Sequence, residues 1–577
     1  EALTNLVWAP LTKGLKGVSL SANWMWPSKN SGEDARLYHA VEALSDFACE
    51  LGINIPTGKD SLSMKQKYPD GKDVISPGTV IISAVAEVSD INKIVEPVII
   101  ADADSFLIYL DLSQTEYQLG GSSFSQILSQ LGSQAPDIKD PKYFMRVFGV
   151  LQQLINEGKV LAGHDISAGG MITTLLEMVF PRLNWGLEVN LDQIPEPDII
   201  KLLFSENPGI IFQVKDLQYI ENIFNQHQLT YYVIGKPAST KQLVVHHQNK
   251  VYHFEIDELR DTWYKTSFLL DTQQTAEGFA QKRFINYKKQ ELSYQFSSGF
   301  TGQFEQFGID PYRRENSSIK AAIIREKGVN GDREMAYALY LVGFDVKDIH
   351  MTDLVSGAEN LEDVKFVVFV GGFSNSDVLG SAKGWAGAFL FNSKAKKALD
   401  NFYQRSDTLS LGVCNGCQLM AELGLIYPHH EVHPQLLPNQ SGKFESAFIN
   451  VDIQQNHSVM LHSLAGSRLG IWVAHGEGRF KFPYELEKYH IAAKYSYSDY
   501  PGNPNSSDWD VACIYSEDGR HLGLMPHLER SFFSWQWPYY PKNRKNDQIT
   551  PWIEAFVNAR EWVKNKIQLP IAVKVNH

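Results

Sequence analysis

Cysteine is scarce in this chain: Cys49, Cys414, Cys417 and Cys513 are all there are in 577 residues. Four are too few for a disulfide framework, and no signal peptide is visible, so a reducing, cytoplasmic setting is expected. Long apolar runs are also missing. No stretch approaches the ~20 residues that a membrane helix needs, and a soluble protein is expected. Basic charge is in deficit, with 53 Lys and Arg against 66 Asp and Glu and a net charge of -13. That balance argues against general nucleic-acid binding, which leaves a basic face or stripe, although anionic small molecules can still bind locally. Low-complexity tracts and defensible internal repeats are absent. So is an initiating Met: Glu1-Ala2-Leu3-Thr4-Asn5-Leu6-Val7-Trp8 reads as the middle of a helix, which predicts a fragment of a longer chain. What is present is ordinary for a globular protein, 44% hydrophobic and 21% charged residues, enough for three or four domains at roughly 150 residues each.

Residues 1–100 mix helices and strands. A strand over Val18–Trp24 is followed by an amphipathic helix from Ala35 to Leu51 and an apolar strand from Val80 to Val88. Between the last two, Gly58-Lys59-Asp60-Ser61-Leu62-Ser63-Met64 reads as an exposed turn. A second unit, 101–262, contains a strand at Phe106–Leu112, a helix from Tyr143 to Asn156, and a loop over Ala162-Gly163-His164-Asp165-Ile166-Ser167-Ala168-Gly169-Gly170 that opens a helix. Glycines in such a loop let backbone amides approach a phosphate, and Asp165 offers oxygen to a hard cation such as Mg²⁺; a purely structural turn is the alternative. Residues 263–317 lose the apolar rhythm and read as a polar linker, broken by single aromatics, that drapes over a neighbour. From Ser318 strand and helix alternate, which predicts a parallel, doubly wound sheet over 318–577.

The chemistry concentrates at Cys414. The run Thr408–Val413 is strand-like and Gln418 onward has helical periodicity, so Cys414 falls at a sharp strand-to-helix turn flanked by Gly412 and Gly416. A thiol nucleophile there needs a base, and the base needs an orienting group. Met525-Pro526-His527-Leu528-Glu529-Arg530 supplies both: two apart in extended backbone, His527 and Glu529 point to one side. Gly371-Gly372 and the amide of Asn415 are candidates for an oxyanion hole. A competitor stays open, because Cys414-Asn415-Gly416-Cys417 is also a Cys-x-x-Cys with His429, His430 and His433 downstream, the composition of a zinc site or dithiol redox centre.

Gly412-Val413-Cys414-Asn415-Gly416-Cys417-Gln418 with Pro526-His527-x-Glu529-Arg530 resembles a class I, triad-type glutamine amidotransferase. The wording is similar to that of the phosphoribosylformylglycinamidine synthases of the large, single-chain type. Segments such as Leu20–Met25, Gly58–Met64, Gly371–Ser374, Asp377–Gly380 and His475–Arg479 agree with that family. The resemblance implies a multidomain α/β and α+β fold: mixed sheets of an aminoimidazole-ribonucleotide-synthetase-like half, then a doubly wound glutaminase domain. It implies Cys414 as nucleophile, His527 as general base and acid, and Glu529 as orienter. It further implies ATP and Mg²⁺ as cofactors, Glu1, Asn5 and Asp165 as metal ligands, and Ser167 as a nucleotide contact. Glutamine and formylglycinamide ribonucleotide would be the substrates, and the missing N-terminal half of the same polypeptide the partner. Two positions depart from the family pattern: Ala168 stands where an Asp is usual, and Ser205-Glu206-Asn207-Pro208 replaces the usual context of a conserved Glu, so Glu206 is assigned no catalytic role.

Overall fold

The computed structural model describes residues 1–568 and divides into two units, Glu1–Tyr264 and Lys265–His577. Helix α1 (Ala2–Leu6) opens the first unit. Besides a two-stranded pair, Lys65–Lys67 with Asp73–Ile75, the unit has a three-stranded sheet in the order Asn54–Ser61, Ser19–Met25, Thr79–Val85, with the middle strand parallel to the first and antiparallel to the third. The helix Glu33–Leu51 ends at Gly52, whose φ of 67° is cheap only for glycine. The segment read as an exposed turn is instead strand: Lys59 pairs with Asn23 and Asp60 with Trp24. Gly58 misled because glycine marks close approach as well as turns; a Cβ there would sit 2.1 Å from Ala22 O.

The larger sheet of this unit has seven strands. They run in the order Lys250–Glu255, Gln242–His247, Gly186–Asn190, Tyr232–Ala238, Phe106–Asp111, Gly209–Val214 and β1 (Ala162–Ile166). Two cores flank it, one gathered around Phe148, Leu154, Phe212 and Phe224 and the other around Leu175, Met178 and Leu187. The sequence suggested a loop over 162–170, but its first five residues are β1, antiparallel to Gly209–Val214. The turn proper is confined to Ser167–Gly169, ahead of α2 (Gly170–Val179). Gly163 is again a packing glycine, since a Cβ would meet the Trp8 ring at 2.0 Å.

The second unit is built on a nine-stranded sheet. Its order is Asp345–His350, Lys320–Arg325, Phe366–Phe369, β2 (Leu409–Val413), then, across the sheet's middle, a strand from near the end of the chain, followed by Val511–Tyr515, His490–Tyr495, Glu445–Ile453 and a strand over 468–475. Helix α3 (Asn415–Glu422) follows β2, β3 (Arg468–His475) forms the edge, and β4 (His521–Leu524) is the middle strand. The first five strands are mutually parallel, as the alternation of strand and helix predicts; the last four are antiparallel additions. The links explain the difference: Tyr515 and His521 are joined by a short turn that cannot hold a crossover helix, so Val511–Tyr515 must return antiparallel. Parallel strands covered on both faces have no polar side to show, and Phe366–Phe369 and β2 are wholly buried.

Within this unit, residues 265–317 include the helix Phe279–Asn286 and then follow the surface. Gln295 bridges Arg468, Tyr294 packs edge-on against Trp537 with centroids 4.8 Å apart, and Asn450 Nδ2 donates to Ser293 O at 2.9 Å. The terminal helix spans Ile553–Gln568.

Candidate functional site

β2 delivers Cys414 to the end of the parallel sheet, and the chain then reverses into α3 without a linking loop. Cys414 pays for this with φ 51° and ψ -107°, outside the region comfortable for L residues. Its neighbours must be glycine. A Cβ on Gly412 would stand 2.6 Å from Gly416 O, and one on Gly416 only 2.0 Å from Phe369 O. Cys414 N donates to Leu524 O of β4 at 2.9 Å, which ties the elbow to the strand that precedes His527. The thiol is nearly buried, 5% exposed, and donates to Ala474 O of β3 at 3.6 Å.

His527 and Glu529 come to Cys414 differently from the expected extended strand. β4 ends at Leu524, and Leu528–Arg530 is a short 3-10 turn, which swings Glu529 back under the imidazole. His527 N donates to Trp472 O at 2.8 Å, fixing the backbone, and His527 Nδ1 donates to Glu529 Oε1 at 2.6 Å. A carboxylate only accepts, so Nδ1 carries a proton and Nε2 is the nitrogen left to serve the thiol. Both side chains are buried, 1% and 0% exposed. Burial works to lower the His527 pKa, but the Glu529 charge, with Cys414 alongside, outweighs it and raises the value to about 10. His527 Nε2 has no well-formed hydrogen-bond partner while the thiol points to Ala474 O. A rotation of the thiol away from Ala474 O is needed to join the pair.

Gly371 closes the cluster. A Cβ there would lie 2.8 Å from His527 Cε1 and 3.4 Å from Cys414 Cβ, so the chain after Phe366–Phe369 passes directly over both groups. The adjoining turn is strained, with Asn375, Ser376 and Asp377 at φ 53°, 58° and 49°. Asn415 holds it, accepting from Ser374 N at 3.2 Å. An acyl group entering this cleft would meet a thiol, an imidazole backed by a buried carboxylate, and main-chain amides.

His475 and the pair Asp377 and Glu477 carry signals to which the sequence reading gave no role. His475 is 2% exposed, and burial with neighbouring His527 depresses its pKa to about 3, so it stays neutral. Asp377 is raised by burial and by the charge of Glu477, and Ser381 contacts both carboxylates. Short spacing from Cys414 could not reveal them, because they arrive on other strands and turns.

The zinc or redox alternative finds little in this geometry. Cys417 lies on the first turn of α3, fully buried, with burial pushing its thiol well up. Cys414 caps α3 and Cys417 lies within it, whereas His429, His430 and His433 follow after the helix has ended at Glu422. Among the described residues no three His, Cys, Asp or Glu side chains group as a metal site.

In the first unit, Asp165 is on β1, buried, and accepts from Thr4 Oγ1 of α1 at 3.0 Å. His164 stands between Asp165 and Glu177, at 3.3 and 3.2 Å. Burial opposes protonation there, but hydrogen bonds to the two carboxylates raise its pKa to about 9. Glu1 and Asn5 are exposed, one turn apart on α1, with Asn5 N donating to Glu1 O at 2.9 Å. Ser167 begins the turn into α2, and Gly170 N donates to its carbonyl at 3.0 Å. Glu206 has a structural task the sequence did not suggest: its Oε1 accepts from Ser123 N and Gly169 N, both at 2.8 Å, pinning the glycine turn.

Family models match three regions: a CobB/CobQ-like glutamine amidotransferase domain over 318–563, an FGAR-AT PurM_N-like domain over 1–87, and an AIR synthase related protein, C-terminal domain, over 107–248. Fold and elbow therefore define a glutamine amidotransferase domain joined to an AIR-synthase-related unit. Among curated relatives, a probable phosphoribosylformylglycinamidine synthase of Arabidopsis thaliana is 39% identical over 98% of this chain and 41% of its own length. Those of Dictyostelium discoideum and Homo sapiens are each 38% identical over 97% of this chain, and over 45% and 44% of their own lengths. The chain is similar over nearly its whole length to phosphoribosylformylglycinamidine synthases and spans less than half the length of these relatives. Likeness to solved structures is weaker: PurLQS from Thermotoga maritima matches at 24% identity and TM-score 0.33, over 43% of this chain and 99% of that one.

Proposed function

We propose that residues 318–568 hydrolyse glutamine and that the whole polypeptide uses the ammonia, with ATP, to convert formylglycinamide ribonucleotide to formylglycinamidine ribonucleotide in purine biosynthesis. The observation that carries the reading is the buried cluster of Cys414, His527 and Glu529 at a strained strand-to-helix elbow. Once the thiol turns from Ala474 O to His527, Nε2 holds its proton as an imidazolium stabilised by Glu529, and the Cys414 thiolate attacks the carboxamide carbon. The amides of Gly371-Gly372 and Asn415 receive the oxyanion. Collapse of the tetrahedral intermediate breaks the C–N bond, His527 returns the proton to the leaving nitrogen, and ammonia departs from a glutamyl thioester. Water, deprotonated by His527, then releases glutamate.

At the synthetase site the reading is that ATP phosphorylates the formyl amide oxygen and ammonia displaces the phosphate, giving the amidine. A T. maritima PurL has been solved with ATP and another with FGAR, which is the substrate chemistry proposed for this chain. Asp165, with Glu1 and Asn5 on α1, would hold Mg²⁺ and Ser167 would contact the nucleotide; bound Mg²⁺ neutralises phosphate charge. Support comes from the donor set, since Asp165 and α1 are already tied through Thr4, and two carboxylates and an amide leave room for phosphate oxygens and water. A cytoplasmic setting is proposed from the four free cysteines.

The test is labelling with a chloroketone analogue of glutamine. Cys414 should be alkylated, with labelling lost in Cys414→Ala and kept in Cys417→Ala. Bound metal in proportion to protein, lost in either variant, would sink the triad in favour of a zinc site.

A further inference from the structure

A second cavity of about 770 Å³ opens in the glutaminase unit at the far end of the strands that carry Cys414 and His527. Ser410 and His521 pair near the starts of β2 and β4, whereas Cys414 and His527 follow their ends. The two places are thus separated by the length of the sheet strands, and the cavity is no extension of the cleft at Cys414.

Its volume and lining are those of a small-molecule site. Tyr403, Tyr427 and His430 supply aromatic surface, with Tyr427 and His430 stacked 5.0 Å apart at 10°. His521 lines it while only 4% exposed. Its Nδ1 edge is fixed against Ser410 Oγ at 2.9 Å, and that hydroxyl takes the Tyr403 O–H at 2.8 Å. His521 Nε2 has no hydrogen-bond partner among the described residues. The charge at the mouth is one-sided. Asp400, Glu517 and Asp518 face the single guanidinium of Arg520, which is spent on Asp518 Oδ2 at 2.7 Å and on the carbonyls of Arg405 and Thr408 at 2.8 and 2.9 Å. Asp400 pairs with Lys396, but Glu517 has no cation partner among the described residues.

We infer that this cavity binds a small aromatic amine cation, its ring against Tyr403 and Tyr427, its ammonium at Glu517, and its edge at His521 Nε2. Arg520 is the one Lys or Arg among the described lining residues and is already engaged, so anionic ligands are disfavoured. Aromatic faces and carboxylates both favour positive charge.

The test uses tryptamine and its anionic counterpart indole-3-acetate, by titration calorimetry on the intact chain at pH 7. Tryptamine should bind, indole-3-acetate should bind at least about tenfold more weakly, and Glu517→Gln should weaken tryptamine by about threefold or more. Glu517 is exposed, so that variant should keep the parent melting temperature. Cys414→Ala should bind tryptamine as the parent does. Absence of tryptamine binding, equal affinity for both probes, an unaffected Glu517→Gln, or loss of binding in Cys414→Ala would each overturn the inference.

Discussion

Replacing Glu529 by Gln tests the electrostatic core of the proposed site with almost no change of shape. In the parent, His527 Nδ1 donates to Glu529 Oε1 at 2.6 Å in a place water does not reach. Glutamine keeps a carbonyl acceptor but removes the charge that stabilises the His527 imidazolium beside the Cys414 thiolate. Breaking a buried pair of this kind costs roughly 3–5 kcal/mol, which corresponds to about 10²–10⁴ in kcat if the thiolate–imidazolium pair is the reactive form. Steady-state glutaminase kinetics on the intact chain should show that loss in kcat with a much smaller change in KM. Stability offers an independent readout. His527 ionises at about 10 in the folded chain against about 6.5 unfolded, so its contribution is complete below pH ~6.5 and lost as pH rises towards 10. The melting temperature of Glu529→Gln should therefore fall below the parent's by more at pH 6 than at pH 10. A kcat loss under tenfold, or a deficit that grows with pH, would refute the reasoning.

Gly371→Ala should lower glutaminase kcat by about 10–100-fold and destabilise by about 1–3 kcal/mol, because the new methyl lies 2.8 Å from His527 Cε1; thermal melts and kinetics read both, and parental activity would contradict the packing. Asp165→Asn should weaken Mg²⁺ binding, read by calorimetry in the presence of ATP, by about tenfold or more. An unchanged isotherm would remove Asp165 from the metal set. Trp552→Ala should cost about 3–5 kcal/mol in denaturant unfolding of the glutaminase unit, since Trp552 is fully buried and its Nε1 donates to Gly470 O at 2.8 Å.

The elbow was legible in the sequence because its determinants are local: a buried strand, a helix period, and glycines at the two positions where backbone passes backbone. The parallel half of the second sheet was legible for the same reason, through alternation of strand and helix. Glycine misled where it served packing, at Gly58 under Ala22 and at Gly163 against Trp8, since a missing Cβ looks the same in sequence whether it frees a turn or admits a neighbour.

The sequence by itself determined which groups do the proposed chemistry: a cysteine at a strained turn, a histidine and glutamate two residues apart, an aspartate ahead of a glycine turn. Tertiary structure alone decided their states. Only the pairing of β2 with β4 brings Cys414 N to Leu524 O and so carries His527 towards the thiol, and only the 3-10 turn after His527 folds Glu529 beneath it. The neutral His475, the raised Asp377 and the raised His527 all follow from burial and from charges distant in sequence, since solvation and Coulomb energy depend on what surrounds a group in space.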